Sequence, residues 1–299
     1  MRIDRGFAAL LTTVVIWAST FVVTKAALAD LGPLTLTAAR FAVALVALAP
    51  AARPRGLRPR LLVRPAYILG GLTGVALFFA LQNVGLTLTS AASASLIHAS
   101  TPAIISLSAV ALLGERLNAR QAAGVALAVA GSALVAVAAP AGQQGANPLL
   151  GNLLMFGSVL AWAVYTVLGK RLAGVEDPLV STAAGTAVGL ACLLPLAAIE
   201  IATQGPPRLT WAGAGSILYL GVAASALTLV LWNYALSRVP ASTASAFINL
   251  VPIAGALLAV LAGEALSLAE IGGGLLALAG VWLSAQGAGT RRAAGEANA

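Results

Sequence analysis

The sequence predicts an all-α integral membrane protein: ten transmembrane helices arranged as two inverted five-helix repeats. Three observations carry that expectation. Hydrophobic residues make up 60% of the chain and charged residues 9%, with a mean hydropathy of +0.96, whereas about a quarter of the residues in a soluble domain are charged. The chain also says nearly the same thing twice. Gly6, Trp17, Lys25 and Pro33-Leu34 return in order and spacing as Gly151, Trp162, Lys170 and Pro178-Leu179. Asn83, Ala91, Ser95 and Pro102 return as Asn233, Ala241, Ser245 and Pro252, and Gly114-Glu115, Gly124 and Gly131 return as Gly263-Glu264, Gly273 and Gly280. Finally, the basic residues alternate between loops, as membrane insertion requires. A duplicated unit with an odd number of spans places its second copy upside down, an arrangement found in secondary transporters.

The elements follow from breaking the apolar runs at charges and at Pro, Gly, Asn and Gln clusters. The first helix is placed near 7–28, where Phe7 to Thr24 carry no charge; further spans follow at once, so it is read as a retained helix and not as a signal peptide. Pro33 opens the second, 33–52, which Arg53-Pro54-Arg55 closes. The third and fourth fall at 65–87 and 91–113, with Gly114-Glu115-Arg116 ending the latter. The fifth, 119–139, runs into Pro140-Ala-Gly-Gln-Gln-Gly-Ala-Asn-Pro148, read as the linker between a first repeat, 1–140, and a second, 149–290. The second repeat supplies 149–171, 179–200, 211–236, 242–262 and 269–287. With the N-terminus inside, only Lys25, Arg40 and Arg208 of the 17 Lys and Arg residues fall on the outer side. That distribution places both termini in the cytoplasm.

Composition also excludes function classes. The formal net charge of +8 is spread between apolar spans, so it speaks of topology and not of nucleic acid. Cys192 has no partner for a disulfide or a metal site. The chain contains no GxxxxGK[ST] segment for ATP. With one His and no carboxylate at mid-membrane, it lacks the convergent groups an intramembrane enzyme needs. We therefore expect no enzymatic activity, no cofactor and no metal.

Polar and aromatic side chains inside a membrane helix turn toward other helices or toward water. Phe78, Phe79, Gln82 and Asn83 share one face of the third span, and Ser95, His98 and Pro102 one face of the fourth. Ser225, Thr228, Trp232 and Asn233 do so on the eighth, and Ser245, Asn249 and Pro252 on the ninth. Trp17, Thr20 and Thr24 on the first match Trp162, Tyr165 and Thr166 on the sixth. These stripes predict one aromatic-lined polar cavity between the halves. Its candidate substrate-binding residues are Trp17, Thr20, Phe79, Gln82, Asn83, Ser95, His98, Trp162, Tyr165, Asn233, Ser245 and Asn249. Candidate gating or vestibule residues are Lys25, Arg40, Pro102, Lys170 and Pro252. Arg40 either attracts a substrate carboxylate or forms an ion pair with Asp30. Lys25 and Lys170 either latch a gate or snorkel from a helix end. Each proline removes a backbone hydrogen bond and frees a carbonyl about four residues earlier, at His98 and Ile248. The Gly- and Ala-rich fifth and tenth spans are placed outside the cavity, in close helix contact or facing lipid.

In these motifs the chain resembles the EamA branch of the drug/metabolite transporter superfamily from Gly6 to Gln286. Trp17-Ala-Ser-Thr-Phe-Val-Val-Thr-Lys25, Arg40-Phe41, Ser95-Leu-Ile-His-Ala-Ser-Thr-Pro102 and Gly114-Glu-Arg-Leu117 carry the resemblance in the first copy. Asn233-Tyr-Ala-Leu236, Pro252, Gly263-Glu264, Gly273 and Gly280 carry it in the second. Within that family it is most similar to the bacterial aromatic amino-acid exporters of the YddG type. The resemblance implies a multi-pass protein of the bacterial inner membrane, monomeric or homodimeric, that exports small metabolites by alternating access. Aromatic or hydrophobic amino acids are the expected substrates. A multidrug or quaternary-ammonium exporter of the same superfamily and a passive channel are the alternatives. One departure stands out: Gly185 occupies the position equivalent to Arg40, so an anchor there is one-sided.

Overall fold

The computed structural model describes residues 5–114, 117–138, 146–172, 177–228, 230–231 and 250–296. Among them there are helices and short connections but no strand. The helices are α1 (Arg5–Ala27), α2 (Pro33–Ala52), α3 (Pro59–Leu62), α4 (Pro65–Gly71), α5 (Phe78–Leu88), α6 (Ala91–His98), α7 (Thr101–Leu113), α8 (Ala119–Ala138), α9 (Pro148–Leu172), α10 (Pro178–Gln204), α11 (Trp211–Leu218), α12 (Leu250–Leu261) and α13 (Leu268–Glu296). Among the described residues, six stretches are long and apolar enough to cross a bilayer: Ala8–Ala27, Pro33–Ala52, Pro65–Leu88, Ala119–Val137, Pro148–Leu168 and Leu179–Gln204. Helices α6 and α7, bent by 42° at their junction, make a seventh when taken together. The chain is thus a multi-pass membrane protein. Trp211–Leu227, Leu250–Leu261 and Leu268–Ser284 are shorter apolar helices, and the junction expected between the eighth and ninth spans lies outside the described residues.

Two departures from regular helix bear on the site. The third expected span is continuous but carries a π-helical stretch at Leu72–Leu77, and a second π-helical stretch, Tyr219–Leu227, follows α11. The fourth expected span is broken. Pro102 does not kink a helix interior; it sits in the first turn of α7, where a proline needs no N–H partner. The carbonyl of His98, which that proline leaves unbonded, accepts the Thr101 hydroxyl at 2.7 Å.

Helix ends are fixed by residue chemistry. Pro33, Pro59, Pro65 and Pro178 open their helices, the position at which proline's fixed φ and missing N–H do no harm. Gly114 and Gly263 close α7 and α12 at φ of 68° and 98°, a left-handed backbone that favours glycine. That accounts for the glycine of both Gly-Glu repeats. Ser267 and Glu270 form a capping box on α13: Ser267 N donates to Glu270 Oε2 at 2.8 Å, and Glu270 N to Ser267 Oγ at 3.1 Å.

The Gly-rich helices pack as expected. A Cβ on Gly124 would come 2.6 Å from Gly280 O, and one on Gly131 2.6 Å from Gly273 O. The order of these pairs makes α8 and α13 antiparallel, with their backbones in direct contact. In the same way, a Cβ on Gly71 would lie 2.6 Å from Gly185 O, and one on Gly221 2.8 Å from Arg40 O. Only glycine permits such approaches.

Candidate functional site

The expected aromatic residues converge, and they do so by touching one another. His98, at the end of α6, lies between Phe21 of α1, at a centroid distance of 5.2 Å, and Phe78 of α5, at 5.9 Å. Phe78 also meets Trp162 of α9 at 4.9 Å, and Trp162 meets Tyr165 at 5.1 Å. On its other side Phe78 stands edge-on to Phe79 at 4.5 Å, and Phe79 to Phe41 of α2 at 4.7 Å. Five helices thus contribute to one connected arc of rings. Phe21, Phe41 and Phe78 of this arc are buried, whereas Phe79, His98, Trp162 and Tyr165 stay partly accessible. Tyr165 reaches this place because Gly74, inside the first π-helical stretch, has no side chain: a Cβ there would come 2.5 Å from Tyr165 Cγ.

Arg40 closes the arc at one end. Its side chain is 3% exposed, and its guanidinium carbon stands 4.5 Å over the Phe79 ring and 5.4 Å from that of Phe41, a cation–π arrangement. Its Nε donates to Ser225 Oγ at 2.9 Å. Ser225 in turn donates to Leu220 O, five residues back along the second π-helical stretch. The alternative of an ion pair with Asp30 is not realised, because Asp30 accepts from the Thr210 hydroxyl at 2.9 Å. Among the described residues, the buried side-chain atoms without a hydrogen-bond partner are Thr24 Oγ1, Arg40 Nη1, Asn83 Oδ1 and His98 Nε2. Two of them, Arg40 Nη1 and His98 Nε2, belong to side chains in or over the ring arc.

Other expected site residues divide into those that join helices and those that serve their own. Trp17 donates its indole N–H to Thr228 at 3.0 Å, tying α1 to the chain beyond α11. Asn83 donates to Thr37 of α2 at 2.7 Å, and Ser95 of α6 to Pro252 O of α12 at 3.0 Å. Gln82 is buried. Thr20 bonds the carbonyl of Trp17 in its own helix, the local role that Ser and Thr often take in membranes. Lys25 does not snorkel: Nζ donates to Leu86 O at 2.7 Å and to Thr89 O, holding the carbonyl end of α5. Asn233, Ser245 and Asn249 lie outside the described residues, as does the side chain of Lys170.

The sequence reading missed three carboxylates that bond to other helices, two of them as caps. Glu200 of α10 accepts from Leu34 N at 3.2 Å and from Thr35 N and Thr35 Oγ1 at 2.7 Å, at the start of α2. Glu264 accepts from Ala91 N at 3.0 Å and Ala92 N at 2.8 Å, at the start of α6. Glu270, fully buried, accepts from Ser93 of the same helix. Each satisfies backbone or hydroxyl donors that a helix start leaves open. The signal for Glu200 was a Gly32-Pro33 helix start with no side chain of its own to cap it. Phe21 was legible too, one helical turn beyond Trp17 on the same face of α1.

The EamA-like transporter family matches residues 4–137 and again 149–286. The chain is 35% identical over 289 residues to a "Probable terminal-alkyne amino-acid exporter" of Streptantibioticus cattleyicolor, which covers 95% of this chain and 94% of that one. It is 30% identical over 305 residues to a "Probable amino-acid metabolite efflux pump" of Salmonella typhimurium, covering 97% of each. An uncharacterized transporter of Archaeoglobus fulgidus is 29% identical over 282 residues, 92% of this chain and 95% of its own. One solved crystal structure shares the fold, with a TM-score of 0.62 at 22% identity over 93% of this chain and 96% of that one.

Proposed function

The chain belongs to the EamA-like transporter family, and on that footing we propose that it exports aromatic or other hydrophobic amino acids across a bacterial inner membrane by alternating access. Arg40 carries the choice of substrate class. A buried guanidinium with no carboxylate bonded to it among the described residues is expensive in an apolar layer. The α-carboxylate of a solute supplies the missing anion in a charge-assisted pair. The rings of Phe79, Phe78 and Trp162 offer flat apolar surface for the side chain, and Asn83 Oδ1 and His98 Nε2 stand unbonded for its amino group. The names of two relatives, an amino-acid exporter and an amino-acid metabolite efflux pump, support the same class.

Residues 1–140 and 149–290 are, in this reading, two five-helix repeats of opposite orientation, ten spans in all. Contacts that exchange between the halves support it. Gly124 meets Gly280 while their equivalents Gly273 and Gly131 meet each other; Gly71 meets Gly185 while Gly221 meets Arg40. Trp17 meets Thr228, and Trp162 meets Phe78, 150 residues before Thr228. With both termini cytoplasmic, Lys25, Glu264 and Glu270 hold the periplasmic ends of α1, α5, α6, α12 and α13 together. The α6–α7 break near Pro102, and Pro252 on α12, are the places where the halves flex. Pro102, Pro252, Lys25 and Lys170 act as gate elements, and Asn233, Ser245 and Asn249 complete the pocket from the second half.

Efflux from liposomes loaded with labelled phenylalanine, tryptophan, threonine or a quaternary ammonium tests the reading. Saturable efflux of phenylalanine and tryptophan is expected, falling about tenfold or more in Arg40→Leu while quaternary-ammonium flux stays unaffected. Quaternary-ammonium efflux without amino-acid efflux selects the multidrug alternative, and linear flux with no saturation selects a channel.

A further inference from the structure

Between α2 and α4, five arginines occur within twelve residues: Arg53, Arg55, Arg58, Arg60 and Arg64, separated by Pro54 and Pro59 and followed by Pro65. The backbone turns back at Gly56, whose φ is 112°, and Leu57 N bonds Ala52 O at 3.1 Å. Helix α3 is pinned by Leu61, 3% exposed against Tyr67, Val180 and Ala184. Arg55 is committed elsewhere, donating to Ala51 O at 2.7 Å and lying 3.9 Å from Asp177. Arg58, Arg60 and Arg64 line a basin of ≈ 230 Å³ with Gly56 and Leu61. Beside it the chain exposes Val63 at 73%, then Ile68, Leu69 and Leu72 along the start of the next span.

Positive charge at the end of a span is what topology requires, but topology does not require three arginines lining one concavity on a backbone held by prolines. From this juxtaposition we infer that the basin binds the phosphate headgroup of an anionic phospholipid. The exposed valine, isoleucine and leucines lie along its acyl chains. Arginine suits a phosphate because its fixed fork of N–H donors matches the oxygens, and basic groups at the membrane surface attract anionic lipid. The adjoining apolar side chains separate a lipid from free phosphate, which has nothing to lay against them.

Native mass spectrometry of the intact purified protein, titrated with phosphatidylglycerol and with phosphatidylcholine, tests the site. Phosphatidylglycerol should be retained in preference. In Arg58→Gln/Arg60→Gln that preference should fall about 25-fold, at about fivefold for each arginine. It should persist in Arg58→Lys/Arg60→Lys and in Arg208→Gln, a change away from the basin. Unchanged thermal unfolding shows that the variants are folded. Val63→Asp should weaken phosphatidylglycerol retention while the arginines remain. Equal retention of the two lipids by the native protein, or an undiminished preference in folded Arg58→Gln/Arg60→Gln, overturns the inference. Displacement of phosphatidylglycerol by equimolar inorganic phosphate does so as well, by identifying the free anion as ligand.

Discussion

Gly272 and Gly273 are neighbours on α13, yet alanine in their places should shift stability in opposite directions. One residue along a helix is a rotation of about 100°, and here that rotation separates open space from a backbone. A Cβ on Gly272 meets nothing within 4 Å; one on Gly273 would come 2.7 Å from Gly131 O, 2.8 Å from Val135 Cγ2 and 3.0 Å from Val135 N. The tightest of these falls about 0.7 Å short of ordinary contact, which begins at 3.4 Å, and two of the three atoms are backbone that cannot rotate aside. Alanine is the better helix former by about 1 kcal/mol. Gly272→Ala should therefore stabilise the protein by roughly that amount. In Gly273→Ala the same gain is set against about 1–3 kcal/mol for forcing α8 and α13 apart, leaving a net loss of about 1 kcal/mol. Unfolding of the purified variants in detergent, followed by far-ultraviolet circular dichroism, measures the difference of about 2 kcal/mol. Because Gly131 faces Gly273 across the same contact, Gly131→Ala combined with Gly273→Ala should destabilise less than the sum of the two. If Gly273→Ala is as stable as Gly272→Ala, backbone contact between these helices is not what holds them.

Three further perturbations address the site and its supports. Lys25→Met removes charged donors from two carbonyls at the end of α5 and should lower stability by about 1.5–3 kcal/mol, read in the same unfolding assay; no change would mean those carbonyls are held otherwise. Glu270→Gln keeps the size of a buried side chain that accepts from Ser93 and Ser267 but puts an N–H₂ group among donors. It should be destabilising by about 1–3 kcal/mol, and Glu270→Gln as stable as the native protein would contradict the capping arrangement. Trp162→Leu removes a ring that bridges Phe78 and Tyr165, whereas Trp17→Phe keeps an aromatic ring and loses the N–H bonded to Thr228. Tryptophan efflux from liposomes should fall far more in Trp162→Leu than in Trp17→Phe, and the reverse order would move the site toward α1.

How much of this was legible in the sequence depends on the range of the physics involved. The uncharged runs gave six spans whose described ends lie close to the expected ones, because length and hydropathy are local properties. The repeated glycines left close helix contact or lipid exposure open for the fifth and tenth spans; that α8 and α13 meet each other shows only in the structure. Of the residues read from the aromatic stripes, His98, Phe79, Trp162 and Tyr165 belong to one arc of ring contacts. The stripes did not tell which ring would meet which, since that depends on how far apart the helices stand. The break between α6 and α7 was half visible: Pro102 marked it, but only Thr101 bonding the His98 carbonyl shows that a new helix starts there. Glu200 and Glu264 were beyond reach, since each caps a helix far away in sequence and no periodicity announces a partner 166 or 173 residues distant; the Ser267-x-x-Glu270 capping box was legible, but its bond to Ser93 was not.

The two π-helical stretches give each half a wide turn with one residue to spare. A helix containing such a turn can pass the surplus along its axis, rotating the side chains on either side without breaking its ladder for long. Ser225 lies within one stretch and holds Arg40, and Gly74 lies within the other beneath Tyr165. A slip of register in either would therefore re-aim the guanidinium or the phenol by a fraction of a turn, a finer adjustment than any tilt of a rigid rod could deliver.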